Sequence, residues 1–404
     1  MKKTLMQLAQ EEEQNYSSPI VAAKINGEVR DIQSEYDHDD EISFIELNTS
    51  LGWRIYQRSI LFLFIVAVSN MNKEAEVVAK FTVNKGLYCE VKIPGKPINA
   101  HLIHDIEQEM REMIANNIPI VKHSIPRQEA IELFQAHGKR GKAALIASLP
   151  HSMISIYTCR NYPDYLYGAM LPETKLLGQF ALDVEQSGVL IRTPDEMTDG
   201  KIRTRVEQPK FGHILSEAKE WAKILECPYI SDLNQINTEH RMGELIRISE
   251  ALQEKRIAQI ADHIASHRNN IRLILIAGPS SSGKTSFAQR LQIQLRVNGL
   301  HPIMISLDDY FLNREDTPRN EKGQYDYESI DAIDTALFNQ NMLELLNGHK
   351  VQIPYYNFIT GKREWRDDNF LRLKEDQPII IEGIHGLNER LTAEIKKKSK
   401  YKIY

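Results

Sequence analysis

Cysteine is scarce. The 404 residues contain three, Cys89, Cys159 and Cys227, far apart and with no CxxC pair. This excludes a zinc knuckle or a disulfide framework as the organising device. Reduced thiols in a cytoplasmic protein are the expectation. Positive charge is not in excess either: 50 basic residues face 55 acidic ones, for a net charge of −5. A general nucleic-acid coat needs a basic surplus, although a local basic face remains open. Repeats, low-complexity tracts and long Pro/Gly/Ser linkers are missing, so boundaries must come from changes of pattern. Long apolar runs are missing too. The longest, residues 60–68, has nine residues, against the 20 or so that cross a bilayer, so it reads as a buried helix and no membrane association is expected. Residues 1–15 are charged and lack the apolar core of a signal peptide. What remains, 42% hydrophobic and 26% charged, is an ordinary globular composition with length for two or three domains.

Patterning divides the chain into four parts. Residues 1–48 predict a small α+β unit: a helix over 5–14, a strand over 19–24, a turn at Asn26-Gly27 and a strand over 42–47. Residues 49–216 predict a helix over 53–71, strands over 76–83 and 87–93 joined by Asn84-Lys85-Gly86, an amphipathic helix over 103–117, a helix after Pro126, and mostly strands over 153–192. Residues 217–268 are a helical connector. From 269 to 404 apolar strands at 271–277, 302–307 and 378–381 alternate with helices, the signature of a doubly wound parallel sheet.

One motif in the last part is decisive. Gly278-Pro279-Ser280-Ser281-Ser282-Gly283-Lys284-Thr285 fits GxxxxGK(S/T), between an apolar strand and a helix carrying Phe287, Leu291 and Leu295. The glycines let the backbone curl around phosphate. Loop N–H groups and the helix N-terminus, to Ser286, donate to its oxygens. Lys284 reaches the β and γ phosphates, and Thr285 offers a hydroxyl to Mg²⁺. ATP and Mg²⁺ are therefore the expected ligands.

A P-loop does not specify a reaction, and neighbouring segments must. Ser306-Leu307-Asp308-Asp309-Tyr310-Phe311 ends the second strand, where ligand crevices form in open α/β sheets. Spacing alone leaves Asp308 balanced between a catalytic base and a solvated turn. Tyr325-Asp326-Tyr327-Glu328-Ser329-Ile330-Asp331 offers aromatics to stack a base and a carboxylate for a diol, or else a loop opening a capped helix. Residues 351–358 read in isolation as an edge strand with packing tyrosines. Glu382 closes an apolar strand where it can steady Mg²⁺ or its water shell.

Taken in order, GPSSSGKT, SLDDYF, YDYESIDAID, VQIPYYNF and IIIEGI resemble the uridine kinase and phosphoribulokinase family, over residues 271–387. The resemblance implies transfer of the γ-phosphoryl of ATP to a nucleoside 5′-hydroxyl. Asp308 would be the catalytic base, with Mg²⁺ near Thr285, Glu382 and Asp308. Tyr327 and Tyr356 would line the base pocket, Glu328 would hold the ribose, and Arg363 would contribute to substrate binding. Glu328 and Asn357 replace aspartates of the family. The family continues past residue 404 with an Arg-rich lid, a strand and a helix. The expectation is a truncated domain that binds nucleotide and phosphorylates poorly, with 401–404 starting a strand and 396–400 a solvated helix end.

The N-terminal half carries a second resemblance. Residues 19–47 look like the later part of a TGS domain. Residues 51–225 resemble the editing domain of threonyl-tRNA synthetases, through Asn84-Lys85-Gly86-Leu87-Tyr88, helix 105–114, the run 129–134 and segment 157–172. The HxxxH and CxxxH of that domain fall on Arg58 and Phe62, then Leu166 and Met170, which cannot serve as metal ligands or hydrolytic bases. His101 and His104 read as a helix-entry pair. Editing chemistry is expected to be absent. The half would then bind RNA or a nucleotide without reacting, or act as a regulatory or dimerising platform, with a homo-oligomer as one assembly. Arg58, Arg160 and Arg192 are candidates for an anion site. The rival to the kinase is an ATP-gated RNA-binding or regulatory protein.

Overall fold

The computed structural model describes residues 4–185, 188–198, 200–202, 204–206 and 209–404, so the first three residues of segment 1–15 lie outside the described residues. Two compact units are present, Met1–Arg241 and Met242–Tyr404.

In the first unit a capping box starts α1 (Leu5–Glu12): Thr4 accepts from the Gln7 amide and Gln7 reaches back to the Thr4 amide. Strands β1 (Ile20–Ile25), β2 (Glu28–Asp31) and β3 (Ile42–Glu46) pair antiparallel in the order β2-β1-β3. Asn26 and Gly27, at φ 51° and 85°, form the two-residue turn between β1 and β2. Helix α2 (Ser50–Met71) follows, capped by Thr49 and with 14 of its residues buried. From Ser59 to Val68 every residue is buried, and that stretch is apolar on every side because it is surrounded on every side. The nine-residue run is thus part of a helix long and apolar enough to cross a membrane, but 72% of its apolar window is buried inside the unit. Burial, rather than length, assigns it to the core.

The unit continues with β4 (Glu76–Val83), β5 (Gly86–Lys92), α3 (Ala100–Ala115), β6 (Ile120–Pro126), α4 (Arg127–Ala136), α5 (Arg140–Ala147), β7 (Met153–Cys159), β8 (Tyr162–Asp164), β9 (Ala181–Glu185), β10 (Gly188–Arg192), α6 (Pro209–Ile224) and α7 (Ile230–Thr238). Two further sheets form, β4-β5-β10-β9 and β6-β7-β8. The turn after β4 differs in detail from expectation. Asn84 and Lys85 take the left-handed positions, at φ 51° and 63°. Gly86 already belongs to β5, where a Cβ would lie 2.8 Å from the Ile191 carbonyl oxygen.

The second unit comprises α8 (Met242–Ser266), β11 (Leu273–Ile276), α9 (Lys284–Val297), β12 (Ile303–Ser306), α10 (Thr335–Leu346), β13 (Val351–Gln352), β14 (Tyr355–Asn357), β15 (Lys362–Glu364), β16 (Phe370–Leu371), β17 (Ile379–Glu382) and β18 (Lys400–Ile403). Its main sheet is parallel, in the order β12-β17-β11-β18. Alternate strand residues feed two cores. Leu273, Leu275, Ile379 and Ile381 face Phe338, Met342 and Leu345 of α10. Ile274, Ile276 and Ile380 face Ala288, Leu291 and Leu295 of α9 and Ile257, Ala261 and Ile264 of α8. The doubly wound α/β fold follows from this alternation. The division between units falls inside stretch 217–268, because α8 buries its apolar stripe in the second unit.

Three local readings change. Segment 351–358, read as one edge strand, is two short strands: β13 pairs with β16 and β14 with β15, the break falling at Pro354, which lacks an N–H. Ser329 caps a single turn of 3-10 helix, Ile330–Ala332, and α10 starts later, where Asp334 accepts from the Leu337 amide. Lys400 opens β18 instead of ending a helix. Its side chain is 5% exposed, and its ammonium donates to the Thr392 carbonyl at 2.8 Å.

Candidate phosphate and acceptor site

Strand register builds the site. Glu382 is level with Ile276 on one side and Ser306 on the other. All three strands therefore end together. The segments leaving β11 and β12 emerge at the same edge as Glu382, next to the point where β11 lies between β17 and β18 and the strand order reverses.

The loop leaving β11 is shaped for phosphate. Gly278 is packed so that a Cβ would sit 2.7 Å from Ser282 Oγ. Ser281 and Gly283 hold φ of 58° and 84°, which turns the backbone before α9 begins at Lys284. Pro279, Ser280, Ser281, Ser282 and Gly283 are exposed, as are Thr285 and Ser286 in the first turn. The Lys284 ammonium donates across the loop to the Pro279 carbonyl at 2.8 Å. Thr285 Oγ1 donates to Glu382 Oε1 at 3.3 Å. A helix N-terminus, an exposed loop and a hydroxyl–carboxylate pair fit a triphosphate with its Mg²⁺.

The two aspartates after β12 differ in surroundings. Burial raises the pKa of Asp308, the Lys284 ammonium opposes that, and Asp309 adds to it. Burial also raises Asp309, whose carboxylate accepts from the Tyr356 amide at 3.2 Å. Arg366 lowers it and Glu382 raises it. Asp308 thus faces the phosphate lysine, while Asp309 anchors hairpin β14–β15. Asp309 was visible in the sequence only as a neighbour of Asp308. Arg366, whose guanidinium lies 3.4 Å from the Tyr355 ring centroid, carried no sequence signal.

Beside them is an aromatic cluster. The Phe311 ring lies 5.9 Å from Tyr327 and 5.5 Å from Tyr356, and Tyr356 lies 5.0 Å from Phe358. Tyr356 is 2% exposed, and its hydroxyl has no partner among the described residues. Glu328 is exposed, and its amide donates to Asp326 Oδ1 at 3.1 Å. Arg363 stands apart: its guanidinium pairs with Asp334, the cap of α10, at 2.8 Å.

In the first unit the positions aligned with the editing motifs converge, but in packed surroundings. Arg58 donates to the Ala169 carbonyl at 2.5 Å, and Ser59 Oγ accepts from the Leu171 amide at 2.9 Å. Phe62 and Met170 are buried. His101 is exposed and lies 3.9 Å from Asp105.

The model of the Phosphoribulokinase / Uridine kinase family matches residues 273–404. The second unit is thus a P-loop kinase domain of that kind. Over the N-terminal half the chain is similar to threonine–tRNA ligases. That of Methylococcus capsulatus is 25% identical over 224 residues, 55% of this chain and 34% of the relative. That of Clostridioides difficile is 26% identical over 224 residues, 54% of this chain and 35% of the relative. The chain spans about a third of the length of these relatives. A solved structure described as a possible uridine kinase from Bacillus stearothermophilus is 22% identical, with a TM-score of 0.27 over 32% of this chain and 73% of that one. A likeness at that level adds nothing to the fold described above.

Proposed function

We propose that the second unit transfers the γ-phosphoryl group of ATP to the 5′-hydroxyl of a nucleoside. The observation that carries this reading is the placement of Asp308. It lies at the shared strand edge, close enough to Lys284 for that ammonium to pull its pKa down against burial. A carboxylate there can take the acceptor's proton as the hydroxyl oxygen attacks phosphorus and the bond to ADP breaks. Lys284 and the loop amides orient the triphosphate. Mg²⁺ would be held by Thr285 and Glu382, with Asp308 near its water shell, and would neutralise charge on the phosphates. Tyr327 supplies an aromatic wall for a base, backed by the buried rings of Phe311 and Tyr356, and Glu328 a carboxylate for a sugar diol. Catalysis by such a site is positioning and charge stabilisation.

Incubation of the purified chain with ATP, Mg²⁺ and a panel of nucleosides tests this, with chromatographic detection of 5′-monophosphates. A monophosphate formed from at least one nucleoside supports the reading. ATP binding with no phosphorylated acceptor in the panel contradicts it and favours the second reading, an ATP-gated RNA-binding or regulatory protein. The similarity of the N-terminal half to threonine–tRNA ligases is the support for that alternative. A non-editing N-terminal module that binds RNA or assembles into a homo-oligomer is compatible with both.

A further inference from the structure

The three arginines of the N-terminal half fare differently. Arg160 donates to Glu109 at 2.9 Å, with Glu112 at 4.0 Å. Arg192 pairs with Asp183 at 2.6 Å. Carboxylates neutralise both. Arg58 is half-buried, donates to the Ala169 carbonyl, and makes no ion pair among the described residues. The carboxylate whose charge acts on it is Asp31. That group is 4% exposed and already accepts from Lys122 Nζ at 2.6 Å, the Tyr157 hydroxyl at 2.7 Å and the Met170 amide at 3.0 Å. Two cations therefore share one carboxylate, which leaves one positive charge uncompensated in a partly buried setting.

The guanidinium is also held in place. Gly168 has φ +97°, and a Cβ on it would lie 2.9 Å from Arg58 Cζ and 3.0 Å from both terminal nitrogens. The backbone thus lies directly against the guanidinium, and any side chain at 168 would displace it. The Tyr157 hydroxyl lies 2.7 Å from Asp31 Oδ1 and 2.9 Å from the Gly168 carbonyl oxygen, so its single proton is shared between the two acceptors and ties Gly168 to the same network. Arg58 keeps partial exposure, and its guanidinium nitrogens are not among the buried atoms left without a partner. Tyr167, next in the chain to Gly168, is 87% exposed.

We propose that Arg58, with Lys122 beside Asp31, forms a binding site for a singly charged oxyanion, a carboxylate or a phosphodiester. A planar fork of N–H donors suits either group. One uncompensated charge matches a monoanion better than a dianion.

Isothermal titration of the full chain with sodium acetate and with dimethyl phosphate tests the site, and the tighter of the two identifies the source. Saturable one-site binding is expected for the wild type and for Arg160→Gln. Arg58→Gln should weaken it at least about tenfold, the loss of one charge-assisted hydrogen bond. Because Arg58→Gln also removes the bond to Ala169, a second measurement uses the wild type alone. The bound anion should protect Arg58 from phenylglyoxal, read by peptide mass spectrometry. No saturable binding to the wild type, undiminished binding to a folded Arg58→Gln, or absence of protection would overturn the proposal.

Discussion

Thr285 Oγ1 lies 3.3 Å from Glu382 Oε1, although 97 positions separate them in the chain. The contact exists because β11 and β17 are parallel neighbours in register, Ile276 level with Glu382. A hydroxyl and a carboxylate brought together this way are the pair that the proposed Mg²⁺ site would use beside the phosphate loop.

Glu382→Gln should therefore weaken the use of Mg²⁺ more than the binding of nucleotide. Half-saturating Mg²⁺ for ATP turnover should rise about 10-fold or more, the usual penalty for disturbing a metal's supporting carboxylate. Binding of a fluorescent ATP analogue without metal should change little. An unaltered Mg²⁺ dependence would remove Glu382 from the site.

Asp309 acts on Asp308 as a like charge. As the proposed base, Asp308 would have to be ionised to accept a proton, so activity should fall as pH drops through its pKa, which burial holds above the ordinary carboxylate value of about 3.9. Asp309→Asn removes the neighbouring charge while keeping an oxygen for the Tyr356 amide. The acid limb of the pH–rate profile should then move to lower pH. A limb that stays in place, or moves upward, contradicts the arrangement.

The phosphate loop was legible because its geometry is local: eight consecutive residues between a strand and a helix need no distant partner. The turn at Asn26-Gly27 was legible for the same reason. The division of labour between Asp308 and Asp309 was not, since it depends on Lys284, Tyr356 and Arg366 arriving from other segments. The helical period of α8 was plain, but not the unit on which Ile257, Ala261 and Ile264 would pack. Residues 351–358 read as a strand, but the pattern does not say which partners it takes, and Pro354 breaks it in two. In α2 the apolar run was visible, but only packing shows what surrounds it.

Ser59 illustrates a polar group whose value sequence does not reveal. It is fully buried, donates to the Ile55 carbonyl at 2.8 Å and accepts from the buried Leu171 amide at 2.9 Å. Ser59→Ala leaves that amide unpaired and should destabilise the first unit by about 1–3 kcal/mol. Urea unfolding followed by tryptophan fluorescence measures this. An unchanged midpoint would show that the amide finds another partner.

Lys139 offers a test of buried electrostatics. Its ammonium lies 3.8 Å from Asp164 and 3.9 Å from the Tyr162 ring centroid, while Lys142 also bonds to Asp164. Burial lowers its pKa to about 8, Asp164 opposing and Lys142 reinforcing. Unfolded lysine titrates near 10.5, so between these values the unfolded chain binds more protons and stability should rise with pH. The contribution is lost again as pH falls below the folded value. Unfolding midpoints recorded across pH 7 to 11 for wild type and Lys139→Met, roughly bracketing both pKa values, should diverge in that window. Parallel curves would mean that Lys139 titrates normally.

The most direct test of the account is nucleoside-dependent ATP turnover by the wild type and by Asp308→Asn, measured under single-turnover conditions. The account predicts stimulation by at least one nucleoside and a loss of about 100-fold or more in the variant, as expected when a general base is removed. Equal turnover in the two proteins, or nucleotide binding that no nucleoside stimulates, would contradict it.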